Sequence, residues 1–214
     1  MNNIINLTKM SFLNLKSVFK QIWLIAAIWI VVSAFNPTFL NMLFGMIIVL
    51  TVYQVMAYED MNGIDNIISV MPVKKKEYVL SRYLMGIIAL FISIIIVSIE
   101  YFVALKLNQN LISLDVLLVA GGTVGVIAMC IVIPILLKFG INKGRVVVIL
   151  IMMVLMMIPS GVIGYLAESP EAMEKTIEMI NNVGISLIAF VLNFVVLAIS
   201  TTISIKIYEN KEIK

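Results

Sequence analysis

Residues Tyr58–Tyr83 read YEDMNGIDNIISVMPVKKKEYVLSRY, the one long charged segment in a chain that is otherwise nearly all apolar. The segment begins with Glu59 and Asp60, continues through a short amphipathic stretch to Pro72, and then carries three consecutive lysines. Apolar runs flank it on both sides. Charge that is confined to one loop between two apolar runs indicates a loop lying in water. We therefore expect this segment to contact a soluble partner.

Composition decides the fold class. Apolar residues make up 62% of the 214 residues, charged residues make up 13%, and the mean hydropathy is +1.12. Soluble domains are about half apolar and about a quarter charged. A domain of this size cannot hide so much apolar surface from water, so lipid must be the solvent. We expect an all-α, polytopic membrane protein that forms a single transmembrane domain, 1–214.

Six apolar runs are candidates for membrane crossing, since a helix needs about 20 mostly apolar residues to cross the hydrocarbon core. They lie at 22–35, 38–58, 83–105, 114–137, 146–166 and 185–207. The run Pro159-Ser160-Gly161 predicts an interruption of the fifth span.

Two further helices are expected outside the spans. Residues 1–20 alternate apolar residues with asparagines and lysines, which is typical of a helix lying in the membrane interface. Residues 167–183 carry four glutamates and contain a helix-start signal at Ser169-Pro170-Glu171, which predicts a short helix on the outer surface.

The distribution of basic residues predicts the orientation. If the N-terminus is cytoplasmic, all of the 15 Lys and Arg residues except Lys106 and Lys175 fall on the inner side. Cytoplasmic loops carry an excess of basic residues. We therefore expect a multi-pass protein of the cell membrane with both termini in the cytoplasm. Charges that flank membrane spans give no reason to expect nucleic acid as a partner.

The charged loop contains the pattern of a short amphipathic helix. Pro72 disfavours a helical conformation at the preceding residue, so the helix is expected to end at Met71. Asn62 is the expected cap at its start, with Glu59 and Asp60 near the positive end of its dipole. Two readings are open: an interfacial helix with a lysine anchor, or a rigid lever whose apolar face enters a groove on a partner. The apolar face has the spacing i, i+3, i+4, i+7 and consists of Ile64, Ile67, Ile68 and Met71.

At this loop the chain resembles the permease subunits of type-2 ABC exporters, small bacterial proteins whose ATPase is a separate chain. In that family the loop reads acid-x-x-x-Gly, then apolar residues, Ser-Leu-Pro-Val, a basic cluster and Val-x-x-Arg/Lys-Tyr/Phe. Met71 departs from it, standing where leucine is usual. The matching residues are Glu59, Gly63, Ser69, Pro72, Val73, Lys74, Lys75, Lys76, Val79, Arg82 and Tyr83. A second likeness follows Pro134, in a cytoplasmic loop formed by Lys138, Phe139, Gly140, Lys143, Gly144 and Arg145.

The resemblance implies an interfacial N-terminal helix, six spans, and a coupling helix within 59–77 that docks on the ATPase. It also implies two ATPase copies, which carry ATP and Mg, and a second permease subunit, expected to be another copy of this chain in a homodimer, with a sibling chain in a heterodimer as the alternative. This chain would bind no cofactor, and it contains no Gly-x-x-x-x-Gly-Lys-Ser/Thr run for phosphates. The docking residues implied are Glu59, Asp60, Gly63, Ile64, Asp65, Ile67, Ile68, Ser69, Met71, Pro72, Val73, Lys74, Lys75 and Lys76.

Three residues are candidates for a translocation path. Glu100 is the one carboxylate well inside a span, and charges at such depth are often functional; it could also snorkel or pair with Lys106. Met153 and Met157 have flexible side chains that suit varied apolar ligands, although plain packing in the core or against membrane lipids would explain them too. The resemblance extends to exporters of phenol-soluble modulins, which implies an amphipathic peptide as the substrate.

Other classes of function remain open or are disfavoured. The chain has no histidine and no cluster of Cys, His and carboxylate residues, which argues against a metalloprotease or a haem protein. Its single cysteine, Cys130, lies in apolar sequence and is expected to be a buried small hydrophobe. The alternatives are an exporter of lipids or hydrophobic drugs, and a membrane anchor for a soluble partner that transports nothing.

Overall fold

The computed structural model describes residues 2–35, 39–107, 113–169, 171–172, 174–175, 178 and 183–211. These residues are helical or lie in short turns, and none of them forms a strand, which confirms the all-α prediction. The helices are α1 (Asn2–Phe35), α2 (Leu40–Met61), α3 (Ile64–Val70), α4 (Lys75–Leu107), α5 (Leu114–Glu168) and α6 (Val183–Glu209).

Four helical stretches of the described residues are long and apolar enough to cross a membrane. A shorter apolar stretch, Trp23–Ser33, lies in α1. These stretches support a membrane protein, whereas the number of six spans stays a prediction. The four stretches are Leu43–Met61, Lys75–Leu107, Leu114–Val154 and Ala189–Glu209.

The N-terminal region differs from its prediction. The expected interfacial helix, 1–20, and the expected first span, 22–35, belong to the single helix α1. No glycine or proline interrupts residues 2–35, so the helical hydrogen bonds can continue through them. Leu7, Thr8 and Ser11 are buried against the rest of the protein. This side of the first part of α1 therefore packs on protein.

The predicted fourth and fifth spans lie in α5, which consists of two helices that meet at Gly140 without a longer loop between them. Gly140 is the residue inside it with non-helical dihedral angles, φ 69° and ψ 177°. Such a positive φ favours glycine, which has no Cβ to clash. We call residues 114–139 the first limb and residues 141–168 the second limb. The expected loop around Gly140 is therefore a kink, and the expected interruption at 159–161 is absent because these residues are helical.

Helix α2 occupies the centre of the packing, in contact with α1, α3, α4 and α5. Its residues Phe44 and Ile48 are fully buried. Close approach of the helices depends on small residues: a Cβ on Gly125 of α5 would lie 2.5 Å from the Cδ1 atom of Ile48. Small residues at helix contacts are characteristic of packing in membranes.

The predicted outer helix, 167–183, falls largely outside the described residues. Within this segment, the structure describes helical residues at 171–172, 174–175 and 178.

Candidate functional site

The turn between α2 and α3 is closed by Asn62 and Gly63. Asn62 Nδ2 donates to the Tyr58 carbonyl at 2.6 Å. Gly63 has left-handed dihedral angles, φ 63° and ψ 30°, and its N–H donates to the Asp60 carbonyl at 3.2 Å. The prediction that Asn62 caps the start of α3 is therefore wrong, because its side chain closes the end of α2.

The end of α3 agrees with its prediction. The helix runs Ile64–Val70, and Met71 is extended, with ψ 150°, as the following Pro72 requires. Lys74 N–H then donates to Glu77 Oε2 at 3.0 Å, which caps the start of α4. Both ends of α3 are thus determined by short-range sequence signals.

The apolar stripe of α3 is divided between the inside and the outside of the molecule. Ile68 is 3% exposed and belongs to the core, whereas Ile67 is 46% and Met71 is 41% exposed. The prediction that the whole stripe faces a partner is wrong for Ile68, because α3 must itself be anchored to the helices beside it. The structure does not describe the side chains of Asp65 and Ser69. We define the α3 patch as the exposed large apolar residues of this segment: Met61, Ile67, Val70 and Met71.

Glu59 was expected near the start of α3. It lies instead in the last turn of α2, where its side chain is 2% exposed. It faces Arg82 of α4, which is 1% exposed. Arg82 Nη2 lies 2.9 Å from Glu59 Oε2, and Arg82 Nη1 donates to Glu59 Oε1 at 2.9 Å. The pair therefore has two short N···O contacts, of which the one from Nη1 is a hydrogen bond, whereas Nη2 and Nε have no hydrogen-bond partner in the part of the chain that the structure describes. Removing one member of a buried pair costs about 3–5 kcal/mol, because the other charge is left alone.

Helix α1 completes one side of this pair. Ser11 Oγ accepts a hydrogen bond from Arg82 Nη1 at 2.5 Å, and Asn14 Nδ2 donates to Glu59 Oε1 at 3.2 Å. Ser11 is fully buried. Polar groups of α1 are therefore directed at both charges.

Tyr78 completes the other side. Its hydroxyl donates to Glu59 Oε2 at 3.2 Å, and the Arg82 guanidinium carbon lies 4.3 Å from the centre of its ring. The ring of Tyr208, near the end of α6, stacks on Tyr78 with the two centres 5.0 Å apart. We call Ser11, Asn14, Glu59, Tyr78 and Arg82 the ion-pair cluster.

Two further contacts connect α4 with α6. Lys75 Nζ donates to the carbonyls of Glu209 and Lys211, at 3.0 and 2.9 Å, where the end of a helix leaves carbonyls without partners. Tyr83 is buried, with its hydroxyl 2.6 Å from Ser200 Oγ on α6. Ser200 Oγ in turn donates to the Cys130 carbonyl of α5 at 2.6 Å. Cys130 itself is buried, as its sequence context predicted.

The second predicted loop lies at the same end of the molecule as the ion-pair cluster. A small cleft is lined by Asp60 and Tyr78 together with Gly140 and Ile141. Gly144 is packed against the first limb, since a Cβ there would lie 3.2 Å from Leu136 Cδ2. The charged and aromatic members of the predicted loop, Lys138, Phe139, Lys143 and Arg145, are exposed.

The candidate path residues do not lie together. Glu100 is 6% exposed and accepts a hydrogen bond from Ser33 Oγ of α1 at 3.1 Å, and it makes no ion pair with Lys106. Met153 and Met157 are exposed and line an apolar cleft of about 600 Å³, which Glu100 does not reach. Trp29 of α1 and residues of α2 form the other walls of this cleft.

The sequence model of the family described as ABC-2 family transporter protein matches residues 6–209. The chain belongs to the ABC-2 transporter family. Membership in the ABC-2 family makes this chain the transmembrane component of an ABC transporter and implies an ATPase subunit as its partner. No curated protein and no solved structure matches the chain. In the part that the structure describes, no three His, Cys, Asp or Glu residues converge on a possible metal site.

Sequence reasoning placed Glu59 and Arg82 in a motif of ABC-2 permeases without recognising that they pair. The available signal was two adjacent acids, Glu59 and Asp60, near the end of the helix before the loop and a single arginine near the start of the helix after it. Ser11, Asn14 and Tyr208 were missed as well. A polar pair at i and i+3 on the apolar face of α1 was the signal for Ser11 and Asn14, whereas nothing local marks Tyr208.

Proposed function

We propose that this chain is the permease subunit of an ATP-driven bacterial exporter of amphipathic peptides, similar to the exporters of phenol-soluble modulins. It acts as a homodimer with two ATPase subunits, which bind ATP and Mg. The α3 patch is the observation that supports this proposal most directly. An ABC-2 chain that exposes apolar residues on a short helix between two candidate spans has a ready docking surface for its ATPase.

In this proposal α3 and both termini lie in the cytoplasm, on the side where basic residues accumulate. Ile67 and Val70 enter a groove of the ATPase subunit, and burial of their side chains supplies most of the docking energy. Lys74 and Lys76 are exposed beside the patch and can contact acidic groups at the rim of that groove.

The apolar cleft that contains Met153 and Met157 supports an amphipathic substrate. A site of this kind binds the apolar face of a helical peptide at about 25 cal/mol per Å² of buried apolar area, before the costs of ordering. Methionine side chains adapt to apolar groups of different shape. Affinity should therefore depend on the apolar area of the peptide more than on its exact sequence.

Two measurements test the proposal. Mass spectrometry of the tagged, purified protein should identify an ABC ATPase among the bound subunits. In vesicles that contain both subunits, amphipathic helical peptides should change the rate of ATP hydrolysis. Scrambled peptides of equal composition, which lack a continuous apolar face, should change it less. Equal responses to both peptides would contradict peptide export and favour lipids or drugs, and a rate that no ligand changes would favour an anchor that transports nothing.

A further inference from the structure

The ion pair of Glu59 and Arg82 brackets the segment that contains α3. Glu59 lies about one helical turn before Gly63, and Arg82 lies about two turns after the start of α4. Because Glu59 and Arg82 are in contact, the 22 residues between them, 60–81, form a loop that this pair closes.

The connection between α2 and α3 is weak by itself. Gly63 is the junction, it has left-handed dihedral angles, and no side chain caps the start of α3. A residue without a Cβ permits more backbone conformations than any other. If α3 were held at this junction alone, a force on α3 could change the angle at Gly63 and leave the long helices where they are.

The ion-pair cluster supplies the rigidity that the glycine junction lacks. A charge-assisted hydrogen bond from Nη1 and a second short contact from Nη2 join Arg82 to Glu59, so α2 and α4 cannot slide past each other without breaking the pair. Ser11 and Asn14 attach α1 to the same pair, and Tyr78 attaches α6 through its stacking on Tyr208. Four long helices therefore meet at the base of α3.

Stability alone does not account for a pair of this kind. Replacing a buried ion pair by apolar residues of similar volume is often neutral or stabilising, because both charges must give up their hydration. What apolar residues do not supply is a directional, charge-assisted hydrogen bond between two helices.

We infer that Glu59 and Arg82 are positioning residues that transmit displacement of α3 to α1. This inference rests on the proposed function, since the displacement comes from the docked ATPase. The pair acts through the helices that it joins and touches neither substrate nor nucleotide. Its loss should separate ATP hydrolysis from movement of the permease while leaving the ATPase docked.

The experiment uses the complete complex with the ATPase. An environment-sensitive fluorophore is attached to a cysteine at Ser17, an exposed position on α1, after Cys130→Ala removes the natural thiol. In the reference complex, ATP, Mg and vanadate should shift the emission. In the Glu59→Leu/Arg82→Met variant the shift should be lost, although the ATPase still co-purifies and still hydrolyses ATP. The control Asp115→Asn, which changes an exposed carboxylate at the start of α5, should keep the full shift.

The Arg82→Lys variant is a second test of the inference. It decides the outcome if the Glu59→Leu/Arg82→Met variant does not accumulate in the membrane. Lysine keeps the charge but lacks the planar guanidinium, whose two nitrogens each lie 2.9 Å from one carboxylate oxygen of Glu59, so this variant should lose about half of the emission shift or more. A full shift in Arg82→Lys or in the apolar variant would overturn the inference, as would a reference complex whose emission does not respond to nucleotide. If the reference protein recruits no ATPase, the proposed function fails and the inference fails with it.

Discussion

Ile67 and Ile68 are neighbours in α3 with opposite surroundings. Ile68 lies in the core beside Tyr78 and the ends of α2 and α4, whereas Ile67 points away from the protein. The periodicity of the sequence places both residues on one stripe, since they stand at i+3 and i+4 from Ile64. Which side of a stripe is covered by the same chain depends on tertiary packing, and the pattern does not contain that information.

The two sides of α3 should respond differently to substitution. Changing Ile67 and Val70 together to Asp should leave the protein folded in the membrane, because both side chains are exposed. It should abolish co-purification of the ATPase, because two charges would enter an apolar groove without partners. Affinity purification followed by quantification of both subunits measures this.

Ile68→Ala is the matched comparison for that variant. It should destabilise the permease by about 2–5 kcal/mol through the cavity that it leaves in the core. The fraction of the Ile68→Ala permease that folds should still bind the ATPase. If the Ile67/Val70 variant keeps its ATPase and its coupled activity, the α3 patch is not the docking surface.

The helices themselves were predicted unevenly. The end of α3 follows from a local rule, the constraint that Pro72 places on Met71, and its prediction was accurate to one residue. The continuity of α1 was missed, because no local signal distinguishes a helix that enters the membrane after an interfacial segment from one that continues straight on. The two helices of α5 were predicted, but the connection between them was expected to be longer than the single residue Gly140.

Substitution of glycines tests how tightly the long helices pack. Gly125 of α5 faces Ile48 of α2, and Gly86 of α4 lies so close to Met129 of α5 that a Cβ would overlap its Sδ atom. Gly125→Leu and Gly86→Leu should each destabilise the permease by at least about 1–3 kcal/mol, because overpacking forces the helices apart. Thermal unfolding of the purified protein in detergent, followed by gel filtration, measures the loss.

Gly122→Leu is the control for these two variants. Nothing lies within 4 Å of a Cβ at Gly122, so leucine should be accommodated there at little cost. Equal melting temperatures for all three variants would show that α5 does not pack against α2 and α4 in the manner described.

At the scale of the whole molecule, composition was the most informative property of the sequence. It predicted an all-helical membrane protein, and the apolar helices agree. Large apolar side chains also cover the outside of α6, where Phe190 is 72% and Phe194 is 68% exposed. Composition could not predict how the helices meet. The ion-pair cluster joins residues that are up to 71 positions apart, and it depends on the complete packing.

The orientation predicted from the basic residues can be tested by labelling with a thiol reagent that does not cross membranes. Val70 is 83% exposed on α3, and Ser169 lies just after α5. In the Cys130→Ala background, a cysteine at Ser169 should react in intact cells, and one at Val70 should react only after the membrane is opened. The reverse pattern would place α3 outside the cell and would also exclude its docking to a cytoplasmic ATPase.

The contact between Lys75 and the end of α6 has a consequence for biosynthesis. The carbonyls that accept its hydrogen bonds belong to residues 134 and 136 positions further along the chain. At about 5–20 residues per second, synthesis reaches them on the order of ten seconds after Lys75 has been added. Until then Lys75, which follows α3, cannot form its hydrogen bonds to the end of α6. The same holds for any chain that the ribosome releases early. We therefore expect the docking loop to take its final form only in a chain whose translation has passed residue 211.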